Sequence, residues 1–118
     1  MATADAIAAE LDRIAAMITA GDTAQAIERA RRLHENHPQH VEAARLYGIA
    51  LLRGDAAGEA RALFESLHRA APGSVEVLCN LGSAALACGD SAAALAAYEK
   101  ALRSAPAHPV VLNGLGGA

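Results

Sequence analysis

The chain has 118 residues, of which 53% are hydrophobic, only 3% are aromatic and 32 are alanine, so the composition favours helix and argues against a β-sandwich. Its net charge of -3, without a block of like charge, argues against a nucleic-acid partner. The chain has no long uncharged apolar stretch and its start has no basic signal-peptide region, so we expect no membrane partner and a cytoplasmic location.

Residues of the same type recur along the chain with a fixed spacing. Prolines, alanines and glycines each form a series of three whose members are 34 residues apart: Pro38, Pro72 and Pro106; Ala26, Ala60 and Ala94; Gly48, Gly82 and Gly116. The spacing predicts three repeats, over residues 7–40, 41–74 and 75–108, and the start of a fourth over 109–118.

The first repeat is predicted to contain two helices with a short break between them. Asp22 and Gln25 are spaced as a capping box for the second of these helices. Glu10, Asp12 and Arg13 on the first helix predict a polar outer face that caps the array against water.

The third repeat shows the same pair of helices most clearly. Its first helix is predicted to start at an N-cap, Ser74, and to end at Gly89, after which Asp90 caps the second helix. The predicted apolar stripe of the first helix consists of Leu78, Leu81, Ala85 and Leu86. Gly82 and Ala94 are small residues at points where the two helices must approach closely.

These motifs resemble those of the tetratricopeptide repeat family, whose 34-residue pattern is aromatic-x2-Leu-Gly-x2-Tyr, then Ala-x3-Phe, then Pro. The matching residues are Tyr47-Gly48, Ala60-x3-Phe64 and Pro72 in the second repeat, and Leu78-x2-Leu81-Gly82, Ala94-x3-Tyr98 and Pro106 in the third. The first repeat departs from the pattern at Arg13 and Ile14. The resemblance implies an all-α fold, a right-handed α-solenoid of three helix-turn-helix repeats plus the start of a fourth, in a single domain over residues 1–118.

In this family the first helices of successive repeats line a concave groove that binds peptides. The residues of this chain at groove positions include five large aliphatic side chains, which have no further layer of their own to pack against, and several charged or small ones: Leu11, Ile18, Glu42, Arg45, Ile49, Leu52, Arg53, Glu76, Cys79, Ser83 and Leu86. The resemblance therefore implies a non-catalytic scaffold for a protein or peptide partner. Ile49, Leu52 and Leu86 would anchor a helical or extended peptide, and Arg45 and Arg53 would select an acidic flank.

The best-known ligands of the family are acidic C-terminal tails of chaperones, held by a clamp of Lys, Asn and Arg. The clamp positions of this chain carry Leu11, Ala15, Leu46, Glu76 and Asn80, so only the asparagine agrees with the clamp. Because Glu76 would repel a carboxylate, we expect no binding of such tails.

No motif of catalysis, metal binding or cofactor binding stands out, so we expect no enzymatic activity, no metal and no cofactor. His34, His37 and His40 form the one cluster of potential metal ligands, but His68 and His108 repeat two of these positions, so we interpret the histidines as parts of the repeat. The two cysteines have no CxxC spacing, and Cys79 is expected to be a free groove thiol. The glycine-rich segment 113–117 follows no predicted strand, which argues against a phosphate-binding loop.

The alternative function is that of an accessory recognition domain of a larger bacterial enzyme, such as a sulfotransferase-like transferase, with catalysis outside these residues.

The fourth repeat is predicted to begin at His108 as N-cap, with Pro109 at the first helical position. Half a repeat cannot bury its own apolar stripe, so the chain is expected either to be an excised fragment or to cover this open end with another copy of itself. In both cases we expect self-association through residues 76–115.

Overall fold

The computed structural model describes residues 4–104, and these residues form six helices and no strand, which confirms the all-α prediction. In chain order the helices are α1 (Ala4–Ala20), α2 (Thr23–Asn36), α3 (Val41–Arg53), α4 (Ala57–Ala70), α5 (Val75–Ala87) and α6 (Ser91–Ser104). The predictions for the fourth repeat and for the glycine-rich segment lie outside the described residues.

The positions at which the helices start keep the period of the sequence. The helices α2, α4 and α6 start at Thr23, Ala57 and Ser91, and α3 and α5 start at Val41 and Val75, so the successive starts within each series are 34 residues apart. Within the described part of the chain, no helix combines the length and the apolar composition needed to cross a membrane.

The helices form two compact units, with the boundary after Ala56. In the first unit α1, α2 and α3 all pack against one another. In the second unit α5 packs against both α4 and α6.

The core of the first unit consists of two isoleucines of α1 and small or branched residues of α2 and α3: Ile14, Ile18, Ala26, Ala30, Leu33, Ala43, Leu46 and Ala50. The first repeat departs from the family pattern at Arg13 and Ile14. Arg13 is exposed, but Ile14 is fully buried and belongs to the core. Because half of these core residues are alanines, the helix backbones approach closely and the core needs few large side chains.

The polar face predicted for the first repeat is only in part exposed to water. Asp12 and Arg13 are exposed, as expected, but Glu10 is half-buried. Its carboxylate accepts hydrogen bonds from Arg29 of α2, with an Nη2 to Oε1 distance of 2.9 Å and an Nη2 to Oε2 distance of 3.1 Å. Glu10 therefore links α1 to α2 instead of only facing solvent.

In the second unit, Tyr98 of α6 packs into the space that Gly82 leaves on α5. A Cβ atom at Gly82 would lie 2.9 Å from Cζ of Tyr98, which is closer than van der Waals contact allows. The predicted close approach at Gly82 is therefore present, and its partner is the ring of Tyr98. Other buried residues of the same cluster are Leu78, Cys79, Ala85, Ala94 and Ala101.

Of the three N-caps predicted within residues 4–104, two are confirmed. The Ser74 Oγ accepts a hydrogen bond from the Val77 N–H at 3.3 Å, and Asp90 Oδ1 accepts one from the Ala93 N–H at 3.1 Å. The capping box at Asp22 was wrong: Asp22 is the N-cap residue of α2, but its side chain makes no capping hydrogen bond. Its ψ of 63° differs from the extended backbone that brings a cap side chain over the first turn.

Candidate functional site

The first helices of the repeats, α1, α3 and α5, carry the residues expected to contact a ligand. On α1 these residues belong largely to the core of the first unit. Ile18 is 8% exposed and is a core residue, and Leu11 is half-buried and packs against that core. Ile18, one of the five aliphatic residues expected to have no further layer to pack against, does have such a layer, because α2 and α3 both pack against α1.

On α3 two aliphatic side chains retain part of their surface. Ile49 packs against the core of the first unit but is only half-buried, and Leu52 is also half-buried. The two residues are three apart in sequence, so they lie on one side of the helix, one turn from each other. α3 therefore keeps half-exposed apolar surface on this side.

The charge of Arg45 on α3 is balanced within its own helix. Its Nε and Nη2 atoms donate hydrogen bonds to the two carboxylate oxygens of Glu42, each at 2.6 Å. The hydrogen bond from Arg45 lowers the pKa of Glu42, against the opposing effect of desolvation. Arg45 is thus less available for an acidic ligand than the sequence suggested.

Arg53, at the C-terminal end of α3, is exposed. No carboxylate in the described part of the chain forms an ion pair with it. Of the two arginines predicted to select an acidic flank, Arg53 is therefore the one with an unbalanced charge.

On α5 the predicted residues divide between surface and core. Leu86, a member of the predicted apolar stripe, is 41% exposed. Glu76 and Ser83 are exposed as well. The Ser83 side chain is held in place, since its Oγ donates to the Cys79 carbonyl at 3.1 Å and lies 2.9 Å from the Tyr98 hydroxyl.

Cys79 does not provide the free groove thiol that the sequence suggested. It is 2% exposed and belongs to the apolar cluster of the second unit. Burial, and secondarily the negative charge of Glu76, raise the pKa of its thiol, which disfavours the thiolate. The exposed cysteine is Cys88, at the C-cap of α5.

The residues at the chaperone-tail clamp positions do not form a clamp. Leu46 is buried in the core, and Glu76 is an exposed acid. The side-chain nitrogen of Asn80 is buried and has no hydrogen-bond partner among the described residues, so it is not presented to a ligand.

The structure shows a local role for two of the histidines, of which the sequence predicted only the placement of His34. His34 lies in the last turn of α2, as expected, and its ring packs against Tyr47 with 5.8 Å between the ring centroids. His40 is the N-cap of α3, because its Nδ1 accepts a hydrogen bond from the Ala43 N–H at 3.2 Å. In residues 4–104 no three side chains of His, Cys, Asp or Glu are placed to hold a metal ion.

Three features of the structure were not predicted from the sequence. Two of them are the hydrogen bonds between Glu10 and Arg29 and the ion pair between Arg61 and Asp90, with an Nη2 to Oδ2 distance of 2.9 Å. The partners are 19 and 29 residues apart, so no short sequence spacing reveals them. A cavity beside His68 is the third. Its signal in the sequence was the replacement of Tyr47 by the smaller Leu81 one repeat later.

Comparisons with known proteins agree with the period and the helix order. The sequence model of a tetratricopeptide repeat matches residues 11–75, and a second model of the same repeat matches residues 75–108. No curated protein matches the chain.

Solved structures share the fold at low sequence identity. One is the crystal structure of YrrB, described as a TPR protein with an unusual peptide-binding site, with 20% identity, a TM-score of 0.84 and coverage of 98% of this chain and 58% of that one. The second TPR domain of human RPAP3, in complex with the HSP70 peptide SGPTIEEVD, has 18% identity, a TM-score of 0.80 and coverage of 92% and 90%. MamA from Desulfovibrio magneticus RS-1 has 22% identity, a TM-score of 0.80 and coverage of 92% and 61%.

This chain thus spans somewhat more than half of the YrrB and MamA structures and most of the RPAP3 domain. At these identities the structures show a shared fold, which is that of helical TPR solenoid proteins. Since the match over residues 11–75 by itself covers more than half of the 118 residues, the chain belongs to the tetratricopeptide repeat family.

Proposed function

We propose that the chain is a non-catalytic scaffold that binds a helical or extended apolar peptide through its first helices. The repeats are those of the sequence, residues 7–40, 41–74 and 75–108, within one repeat domain. The observation that carries the proposal is that Leu86 on α5 is 41% exposed, whereas Val77 and Leu78 of the same helix are buried. One exposed leucine alone is ordinary on a protein surface, but together with the half-buried Ile49 and Leu52 on α3 it gives the first helices several apolar contact points for a peptide.

The residues that we propose to contact the peptide are a reduced set of those predicted. On α3 they are Ile49, Leu52 and Arg53, and on α5 they are Ser83 and Leu86. Ile18 and Cys79 are left out because they are core residues. An apolar helix face with a cation beside it suits an amphipathic peptide that carries an acidic residue.

The relatives of known structure support this class of function. The YrrB structure is described as having a peptide-binding site, and the RPAP3 domain was solved with a bound peptide. We expect micromolar affinity here, roughly -8 kcal/mol, because a short peptide loses conformational freedom when it is ordered on the surface.

The test is selection from a displayed peptide library, followed by binding measurements with a selected peptide. We expect selected peptides to have leucines three or four residues apart next to an acidic residue. Replacing both Ile49 and Leu52 by serine should reduce binding at least tenfold while the helix content by circular dichroism stays unchanged. Leu95→Ser is the matched control, because Leu95 is 44% exposed but lies on α6.

Two further measurements make the test specific. Arg53→Ala should weaken binding and reduce its dependence on salt, since Arg53 is exposed and unpaired among the described residues. The peptide SGPTIEEVD should not bind, because the clamp positions hold Leu46 and Glu76. Unchanged affinity in the folded double serine variant would show that α3 is not part of the binding site.

Self-association through residues 76–115 is a second proposal, supported by the exposure of Leu86 and Leu95 in the described part of that segment. Light scattering behind a sizing column should show a mass above that of the monomer at high micromolar concentration. A clean monomer at that concentration would contradict this proposal without affecting the peptide-binding one.

A further inference from the structure

A cavity of about 230 Å³ lies within the second unit, on residues other than the proposed peptide contacts. It is bounded by His68 of α4, Leu81 of α5 and Lys100 of α6. It is open to solvent on one side, and its wall on α6 is made of small side chains, Ala93, Ala96 and Ala97.

In the first unit, the histidine equivalent to His68 has an aromatic ring beside it. His34 precedes His68 by 34 residues, and Tyr47 precedes Leu81 by 34 residues. The Tyr47 ring lies against His34, with centroids 5.8 Å apart and an interplanar angle of 35°. At the corresponding place in the second unit Leu81 has no ring to offer His68.

The sequence of α6 also removes bulk from this place. Ala93 and Ala97 occupy the repeat positions that Glu59 and Leu63 hold in α4. Relative to the preceding repeat, α5 and α6 thus both carry smaller side chains at positions that line the cavity.

The size and charge of the cavity indicate what could enter it. An apolar cavity of about 150 Å³ holds a benzene ring, so the space beside His68 is sufficient for one aromatic side chain. No carboxylate of the described residues forms an ion pair with Lys100, so its ammonium group at the edge of the cavity favours a negatively charged neighbour.

We propose that this cavity binds an aromatic side chain of a partner peptide in which a carboxylate lies next to the aromatic residue. The ring takes the place beside His68 that Tyr47 takes beside His34, and the carboxylate pairs with Lys100. The site is separate from the contacts proposed on α3 and α5.

The probe for the experiment is N-acetyltyrosine, which carries a phenol ring and one carboxylate. The measurement is NMR of the full chain with ¹³C-labelled alanine methyl groups. Ring-current shifts that saturate with probe concentration are expected at Ala93, Ala96 and Ala97. Tyramine has the same ring but an ammonium group in place of the carboxylate, so it should bind more weakly.

Variants separate the contribution of the ring from that of the charge. Leu81→Tyr should fill the cavity from α5 and reduce probe binding at least tenfold. Ala97→Leu should fill it from α6, with a residue that already occurs at the equivalent position 63, and serves if the tyrosine variant does not fold. Lys100→Gln should weaken binding about twofold to fivefold, the usual effect of an exposed ion pair, whereas Arg103→Gln on the same helix should have no effect.

Three results would overturn the proposal. One is the absence of saturable shifts at the three alanine methyl groups. Another is unchanged binding in folded Leu81→Tyr or Ala97→Leu chains. The third is a set of nuclear Overhauser contacts, in the chain without probe, from residues 105–118 to these methyl groups, because the chain would then fill the cavity itself.

Equal binding by Lys100→Gln and wild type would overturn the carboxylate requirement. The Ile49→Ser/Leu52→Ser variant leaves the residues that line the cavity unaltered, so it should bind the probe as the wild type does. Failure of the proposed function is therefore distinguishable from failure of the cavity proposal.

Discussion

At the scale of single residues, the turn that follows each first helix shows how one position adapts to its occupant. Gly21 and Gly89 have φ values of +83° and +82°, which glycine adopts readily. In the middle copy the Gly-Asp dipeptide is shifted by one residue, so Asp55 occupies the equivalent position and has a φ of +62°. The local backbone geometry is therefore kept even where a side chain makes it unfavourable.

Asp55→Gly is expected to stabilise the chain by about 0.5 kcal/mol. A residue with a side chain loses about 1–2 kcal/mol in the left-handed conformation, and glycine avoids this cost. The saving exceeds the free-energy cost of the greater conformational entropy that glycine has in the unfolded chain. Gly89→Ala should have the opposite effect and destabilise by about 1 kcal/mol. Urea unfolding followed by circular dichroism measures both changes, and a loss of stability in Asp55→Gly would show that the aspartate side chain makes a larger contribution than its backbone costs.

At the scale of helices, the pairing of α5 with α6 depends on the fit between Gly82 and Tyr98. Gly82→Ala would place a Cβ atom 2.9 Å from the tyrosine ring, and moving the ring would disturb the 2.9 Å hydrogen bond between its hydroxyl and Ser83. We expect a loss of about 1–3 kcal/mol in the free energy of unfolding. Gly73→Ala is the control, because a Cβ there meets no atom within 4 Å.

A double-mutant cycle identifies the cause of that loss. When Tyr98 is first replaced by leucine, the additional cost of Gly82→Ala should fall, because the ring that it would overlap is gone. Equal costs of Gly82→Ala in both backgrounds would assign the loss to the α5 backbone and not to the contact with α6.

At the scale of the whole molecule, hydrogen-bonded carboxylates make the free energy of unfolding depend on pH in the acidic range. The pKa of Asp90 is lowered, first by the Ala93 backbone N–H and then by Arg61, and the pKa of Glu42 is lowered by Arg45. A carboxylate with a lowered pKa in the folded state stabilises the fold above its unfolded pKa, and this contribution is lost as the pH falls through the folded value.

We therefore expect nearly constant stability from pH 7 down to about pH 5 as far as these groups are concerned, and a decline below about pH 4. Asp90→Asn and Glu42→Gln should each reduce the steepness of that decline. Thermal unfolding between pH 3 and pH 7 measures the effect. An unaltered acid profile in both variants would show that other carboxylates carry it.

The sequence by itself determined the repeat, the helices and most of their ends, because these depend on local interactions. Prolines, glycines and N-cap residues act within a few positions, so the starts of α3 and α5 and the caps at Ser74 and Asp90 followed from spacing alone. The Glu42–Arg45 pair was equally local, three residues apart, and could have been predicted from the sequence.

Only the tertiary structure decided which predicted contact residues have surface to offer. Ile18 is buried although the equivalent Leu52 is half-buried and Leu86 is exposed, and Cys79 is buried although the equivalent Arg45 is half-buried, because exposure depends on how other helices pack around each site. The link between Glu10 and Arg29 and the cavity beside His68 likewise arise from residues far apart in sequence. A period determines which residues share a face, but the packing of the helices determines whether that face is covered.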